Sequence, residues 1–322
     1  MIFARFRDFA PCLILIVFVD GCAIAGKGSG DSGGVGSGGH ATISLFSVII
    51  SRGLEAEDRI FSPEDPTVVD LQHQAKDASE AGRFNQAETL LTQAANIDLN
   101  AAEHMEEARD KRLLSAAASK AGLGELKMVQ FAYLDSAEYY KQTVGLVPDG
   151  SDLVRASYLN GWGWASIRAG DYRTAESAFQ KSLVIRKKLL GEEHWDVART
   201  LHNLAVVYYA QGHYTKAEPL YQQSLIISEK VFGGEDSHTA TILSNFANLY
   251  SEQGRYTKAE PLYQRALAIL EKALGEEHPE VVNILTNYAV LLRDIQRNAE
   301  AEKLEARAKV IYDKHTQDNQ RQ

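Results

Sequence analysis

Residues 254–269 read GRYTKAEPLYQRALAI, and residues 212–227 read GHYTKAEPLYQQSLII, with nine consecutive residues from Tyr214 and from Tyr256 unchanged. The offset is 42 residues. Extended along the chain, it aligns Gly170 with Gly212 and Gly254, Tyr172 with Tyr214 and Tyr256, and Ala175 with Ala217, Ala259 and Ala301. A fixed period of this length marks one supersecondary unit stacked on copies of itself.

Two helical patterns lie within each unit. Before the glycine, apolar residues recur at i, i+3, i+4 and i+7: Leu201, Leu204, Ala205 and Tyr208, then Leu243, Phe246, Ala247 and Tyr250, then Leu285, Tyr288, Ala289 and Leu292. After it come Ala217, Leu220, Tyr221, Ser224 and Leu225, echoed by Ala259, Leu262, Tyr263, Ala266 and Leu267. Each unit is therefore predicted to be a helical hairpin. Gly212 and Gly254 end the first helix in a turn that favours positive φ. The T-x-x-E spacing of Thr215 with Glu218 and Thr257 with Glu260 predicts a capping box at the start of the second, with Pro219 and Pro261 in or near its first turn. Ala217 and Ala259 are small enough to let the two helices approach closely. In the last copy Glu305 replaces Tyr263 and Lys309 replaces Leu267, as expected of a terminal unit whose outer face meets water.

With LHNLAVVYYAQGHYTKAEPLYQQSL, LSNFANLYSEQGRYTKAEPLYQRAL and the linkers LGEEHWDVA and LGEEHPEVV in view, the chain resembles the tetratricopeptide repeat (TPR) family, more narrowly its kinesin-light-chain type. The resemblance is strong from Asp152 to Ala308. It weakens upstream, where AGRFNQAETLLTQAANIDLN and YLDSAEYYKQTVGLVP keep the register, with Leu99 where a proline is expected and 101–130 fitting poorly. It implies an all-α, right-handed TPR solenoid of about six helical hairpins, and the Gly/Ser-rich stretch ahead of it reads as a disordered N-terminal tether. The boundaries are 1–25 signal peptide or lipoprotein signal, 26–40 flexible linker, 41–69 an unassigned segment, 70–151 degenerate hairpins, 152–315 the regular array with its cap, and 316–322 a polar tail.

The start of the chain carries an address. Arg5 and Arg7 precede the apolar run Cys12–Val19, which is too short to span a bilayer and has the layout of an export signal. Two cleavage signals compete. VDGC resembles a bacterial lipobox that would lipidate Cys22, although Asp20 departs from it; AIA, residues 23–25, fits a cut before Gly26. Eleven of the next 14 residues are Gly or Ser, a tether with an r.m.s. span of about 20 Å. Gly21, Gly26 and Lys27 imitate a P-loop, but Gly28 stands where Ser or Thr would bind Mg²⁺ and no helix can follow.

A net charge of −9 argues against nucleic acid, which requires a dense basic stripe. Both cysteines fall in the first 22 residues, so the body has neither disulfide nor thiolate. The nine histidines show no metal-ligand spacing, and His194 and His278 recur as repeat positions. Acidic pairs such as Glu192–Glu193 and Glu276–Glu277 read as solvated turn charges. No nucleophile has a base and an orienter. We therefore assign no catalytic residue, cofactor, metal or small-molecule substrate.

A curved stack of helix pairs offers a concave surface lined by its first helices. The stripe about 120° from the packing seam contains Asn160 and Trp164, then Arg199, His202 and Tyr209, then Asn248, then Arg293. Amides, hydroxyls and a few aromatics suit an extended peptide. Trp164 and Tyr209 are the anchor candidates, their alternative role being packing against a neighbouring helix. Asn203, Asn245 and Asn287 recur beside the seam. The family resemblance implies contact with a ligand backbone, and the alternative is a hydrogen bond between repeats. The expectation is a non-enzymatic scaffold for a partner protein or peptide, exported to the cell envelope and held at the membrane through Cys22. The rivals are a regulatory subunit of an enzyme or nucleotide-dependent assembly, and an intracellular adaptor that is not exported.

Overall fold

The computed structural model describes residues 66–104 and 109–321. The export signal with Cys22, the imitation P-loop, the Gly/Ser tether and the segment up to residue 65 lie outside the described residues. Twelve helices make up the rest: α1 Pro66–Glu80, α2 Phe84–His104, α3 Arg109–Val129, α4 Tyr133–Leu146, α5 Asp152–Arg168, α6 Tyr172–Leu190, α7 Trp195–Ala210, α8 Tyr214–Phe232, α9 Ser237–Glu252, α10 Tyr256–Leu274, α11 Val281–Asp294 and α12 Asn298–Arg321. They pair into six hairpins, so the expected all-α repeat architecture is present, degenerate copies included. α12 continues through the residues assigned to a polar tail.

The described residues form two compact units, the first ending at Val231 and the second beginning at Phe232. In the first, α2 packs on α3, α4 on α5 and α6 on α7, so each hairpin covers the next. In the second, α11 packs on α10 and also touches α9, and α12 closes on α11.

One turn design closes every hairpin. A residue with positive φ donates its N–H to the carbonyl three residues back, and its successor donates to the carbonyl five back. At Gly212 these are the bonds to Tyr209 (2.9 Å) and from His213 to Tyr208 (2.8 Å). The left-handed residue is glycine in four hairpins, but Phe131 (φ 59°) and Gln296 (φ 63°) in the other two.

The expected capping boxes do not form. α8 and α10 begin at Tyr214 and Tyr256, so Thr215 and Thr257 are already helical, and Arg255, the residue before α10, makes no side-chain cap bond. Glu260 instead accepts from the Tyr288 hydroxyl at 2.8 Å and from Arg297 at 2.5 Å, which ties α10 to the next hairpin. Pro219 and Pro261 sit in the second turn, next to the first, and both are exposed. A true side-chain cap occurs at Asp171, which accepts from the Thr174 N–H at 3.0 Å.

Ala175, Ala217, Ala259 and Ala301 are fully buried, as are Phe179, Tyr221 and Tyr263 to within 1%. Alanine and a large ring thus stand one turn apart on the buried face of α6, α8 and α10. Within α5 it is glycine that meets such rings: a Cβ on Gly161 would lie 2.4 Å from the Tyr140 ring, and one on Gly163 2.6 Å from Phe179. Buried hydroxyls join the helices of a hairpin, Ser136 to the Gly124 carbonyl, Ser182 to Ala156 and Ser224 to Ala198. Between hairpins the buried Arg186 of α6 donates to Thr200 Oγ1 (2.7 Å) and the Asp196 carbonyl (3.2 Å) of α7. On α12, Lys309 faces solvent as expected, but so do Val310 and Tyr312, so the cap surface is mixed rather than purely polar.

Candidate functional site

In the first unit the predicted stripe lies on α5 and α7, and the structure divides it into support and surface. Asn160 and His202 are buried, at 8% and 6% exposure, whereas Trp164, Arg199 and Tyr209 are partly exposed. The Asn203 amide lies 2.8 Å from that of Asn160 and 3.2 Å from the indole nitrogen of Trp164. An indole N–H can only donate, so the Asn203 oxygen faces Trp164 and its nitrogen faces the Arg199 carbonyl, 3.2 Å away. Of the two roles open to Asn203 in the sequence, the hydrogen bond between repeats is the one formed. It fixes the Trp164 ring, whose other side meets Phe179 edge-on at 5.8 Å.

Arg199 donates to Asp196 one turn back at 2.7 Å. Burial pushes the guanidinium down to about 10, still cationic at neutral pH. His202 meets the Tyr221 ring edge-on at 5.6 Å, and burial pushes it down to about 4, so it is neutral and acts as a packing residue. Tyr209 lies against Tyr214 across the tight turn, with centroids 5.9 Å apart.

In the second unit, Asn248 of α9 accepts from the hydroxyl of the buried Tyr263 and is itself partly exposed. Arg293 of α11 makes a two-pronged pair with Glu305 of the capping helix, Nε and Nη2 each 2.7 Å from a carboxylate oxygen, which lowers the Glu305 pKa. Arg293 is therefore partly neutralised by the chain itself. The signal was legible in Glu305, an acid in an otherwise aromatic column, 12 residues after an arginine.

A second feature escaped the sequence reading. Lys230 pairs with Glu193, Lys272 with Glu235 and Lys314 with Glu277, each across 37 residues. These turn acids are thus ladder partners of the next second helix, and the constant spacing was the available signal. Among the described residues no three His, Cys, Asp or Glu side chains group as metal ligands, and no helix is long and apolar enough to cross a membrane.

Helical hairpins that present half-buried aromatics and amides from their first helices define a repeat scaffold suited to protein–protein interaction. The chain belongs to the tetratricopeptide repeat family, whose model matches residues 153–230, 196–272 and 238–314, two hairpins at a time. Among solved structures, BtubC (BKLC) from P. vanneervenii is similar at 18% identity and a TM-score of 0.61, over 72% of this chain and 92% of that one. A putative kinesin light chain from Podosopora anserina, with nearly identical TPR-like repeats, gives 22% and 0.52, over 63% and 97%. The apo form of RapI gives 14% and 0.59, over 86% and 92%. At such identities the likeness concerns the fold. No curated protein matches.

Proposed function

We propose that the chain is a non-enzymatic scaffold that holds an extended segment of a partner protein against its first helices. The observation that supports this most directly is the arrangement on α5 and α7, where Asn160, Asn203 and His202 are spent inside while Trp164, Arg199 and Tyr209 are left partly open above them. Tryptophan, tyrosine and arginine are the residues that dominate binding energetics. Asn248 and Arg293 are the corresponding contacts of the second unit, Arg293 the weaker because a partner must compete with Glu305.

The test is affinity capture of the full chain from its own cells, then titration of the captured partner. Tyr209→Ala and Trp164→Ala are each expected to cost about 2 kcal/mol of binding, and Arg199→Ala less, with a stronger salt dependence. Retention of full affinity by all three sinks the proposal.

We also propose export and tethering through lipidated Cys22, because Cys12–Val19 is too short to anchor a chain whereas acyl chains suffice. Radioactive fatty acid is expected to label the mature protein and not Cys22→Ser. A mature N-terminus at Gly26 overturns this.

A further inference from the structure

The outer faces of the second helices follow the same 42-residue period, and α6 breaks its pattern. Arg173, Ser177, Lys181, Val184 and Lys188 fall within about 80° of one another around the helix axis, on a stripe about 22 Å long. All five are exposed, Val184 at 68%, and the stripe contains no carboxylate.

The other repeats show what these positions normally do. Counterparts of Lys188 are Lys230, Lys272 and Lys314, each paired with a glutamate 37 residues earlier. The residue 37 before Lys188 is Ser151. Two counterparts of Lys181 are also engaged: Arg265 donates to the Gly234 carbonyl, and Arg307 pairs with Glu271. Among the described residues neither Lys181 nor Lys188 has an ion pair or side-chain hydrogen bond. The acids closest in sequence are otherwise engaged, Asp171 by the N-terminus of α6 and by the charge of Arg173, Glu176 by the Tyr208 hydroxyl, and Glu192 by Lys187.

We propose that this stripe docks an acidic segment of a partner protein. Its carboxylates take toward Lys181 and Lys188 the place that Glu193 takes toward Lys230, and an apolar side chain between them covers Val184. About seven extended residues span the stripe. An anionic membrane is the poorer match, because a chain of net charge −9 is repelled by a charged plane, whereas a peptide senses only charges within a Debye length of about 8 Å. The surface lies on a second helix, so it does not rest on the first-helix face proposed above.

The experiment uses the full chain and a fluorescent peptide of about fourteen residues built from glutamate pairs separated by single leucines, alongside its glutamine-for-glutamate version. In anisotropy titrations at low salt the acidic peptide is expected to bind at least about tenfold more tightly than the glutamine version, and to weaken as salt is added. Lys181→Glu with Lys188→Glu is expected to abolish that preference, and Lys181→Gln with Lys188→Gln to reduce it. Equal binding of the two peptides, or indifference to the lysine changes, overturns the proposal. So does loss of binding in Tyr209→Ala alone, which would place the peptide on the first-helix face. Binding to phosphatidylserine vesicles that is lost on charge reversal, without binding of the acidic peptide, would assign the stripe to a membrane instead.

Discussion

Gln296 occupies the turn position that glycine holds in four of the six hairpins, and it keeps the same left-handed backbone, φ 63° against 73° at Gly212. Its side chain must bear the Cβ clash that glycine avoids. Gln296→Gly is expected to stabilise the protein by about 0.5 to 1 kcal/mol, the relief of strain exceeding the added freedom of the unfolded chain. An unchanged or lowered urea midpoint refutes this. His202 provides a second test at this scale. Its imidazole, held between the Tyr221 ring and its own helix one turn from Arg199, is pushed down to about 4 by burial. The unfolded chain takes up a proton near the ordinary histidine value, so between that value and about 4 the unfolded state binds more protons. Stability attributable to His202 is complete above that window and falls as pH drops through it, by up to about 3 kcal/mol. The difference in unfolding free energy between wild type and His202→Gln should shrink in that sense from neutral pH to about pH 4.5; a constant difference would show that His202 protonates freely in the fold.

Among the helices, α5 is the least ordinary, because Gly161 and Gly163 stand within it where Asn203 and Ala205 stand in α7. On propensity alone Gly163→Ala would stabilise a helix by about 1 kcal/mol. The Phe179 ring decides otherwise: a Cβ 2.6 Å from a fully buried aromatic forces the ring to move, and overpacking of this kind costs about 1 to 3 kcal/mol. Gly163→Ala should therefore be destabilising, and should also loosen Trp164, which rests on Phe179; near-ultraviolet circular dichroism and a melting curve read both effects, and a raised melting temperature would contradict the packing account. The element scale is also where the sequence misled. T-x-x-E promised a capping box because spacing alone cannot show that main-chain bonds of the preceding turn already set the helix start two residues earlier. What was legible was the seam, since Ala217, Tyr221, Leu204 and Tyr208 declare their burial through periodicity. The division of the stripe was not, because Asn160 and His202 share their spacing with Trp164 and Tyr209, and only the neighbouring hairpin decides which of them it covers.

At the scale of the molecule, two periodic systems run through the described residues, a buried one of alanine and aromatic ring and an exposed one of lysine against turn glutamate. The first was visible in the repeated phrase, because steric demand at a close approach preserves residue identity. The second was hidden, since its partners lie 37 residues apart in segments that read separately as polar turn and polar helix end. Their contributions to stability differ in kind. The lysine–glutamate pairs stand in water, where solvent screening and the entropy of long side chains consume most of the attraction, although the lysines do lower the carboxyl pKa of Glu235 and Glu277. The alanine seam has no such compensation, for Ala217 is fully buried and close-packed, and nearest-neighbour stacking leaves no distant contact to absorb an error. A single Ala217→Trp is therefore expected to cost about 1 to 3 kcal/mol or more, whereas Lys309→Ala on the exposed cap should change little. Replacing Glu193, Glu235 and Glu277 together by glutamine should cost less than the one tryptophan, and less still at high salt. Urea denaturation of the three variants ranks them directly. If the triple glutamine chain proves the least stable, the surface ladder rather than the alanine seam holds the hairpins in register.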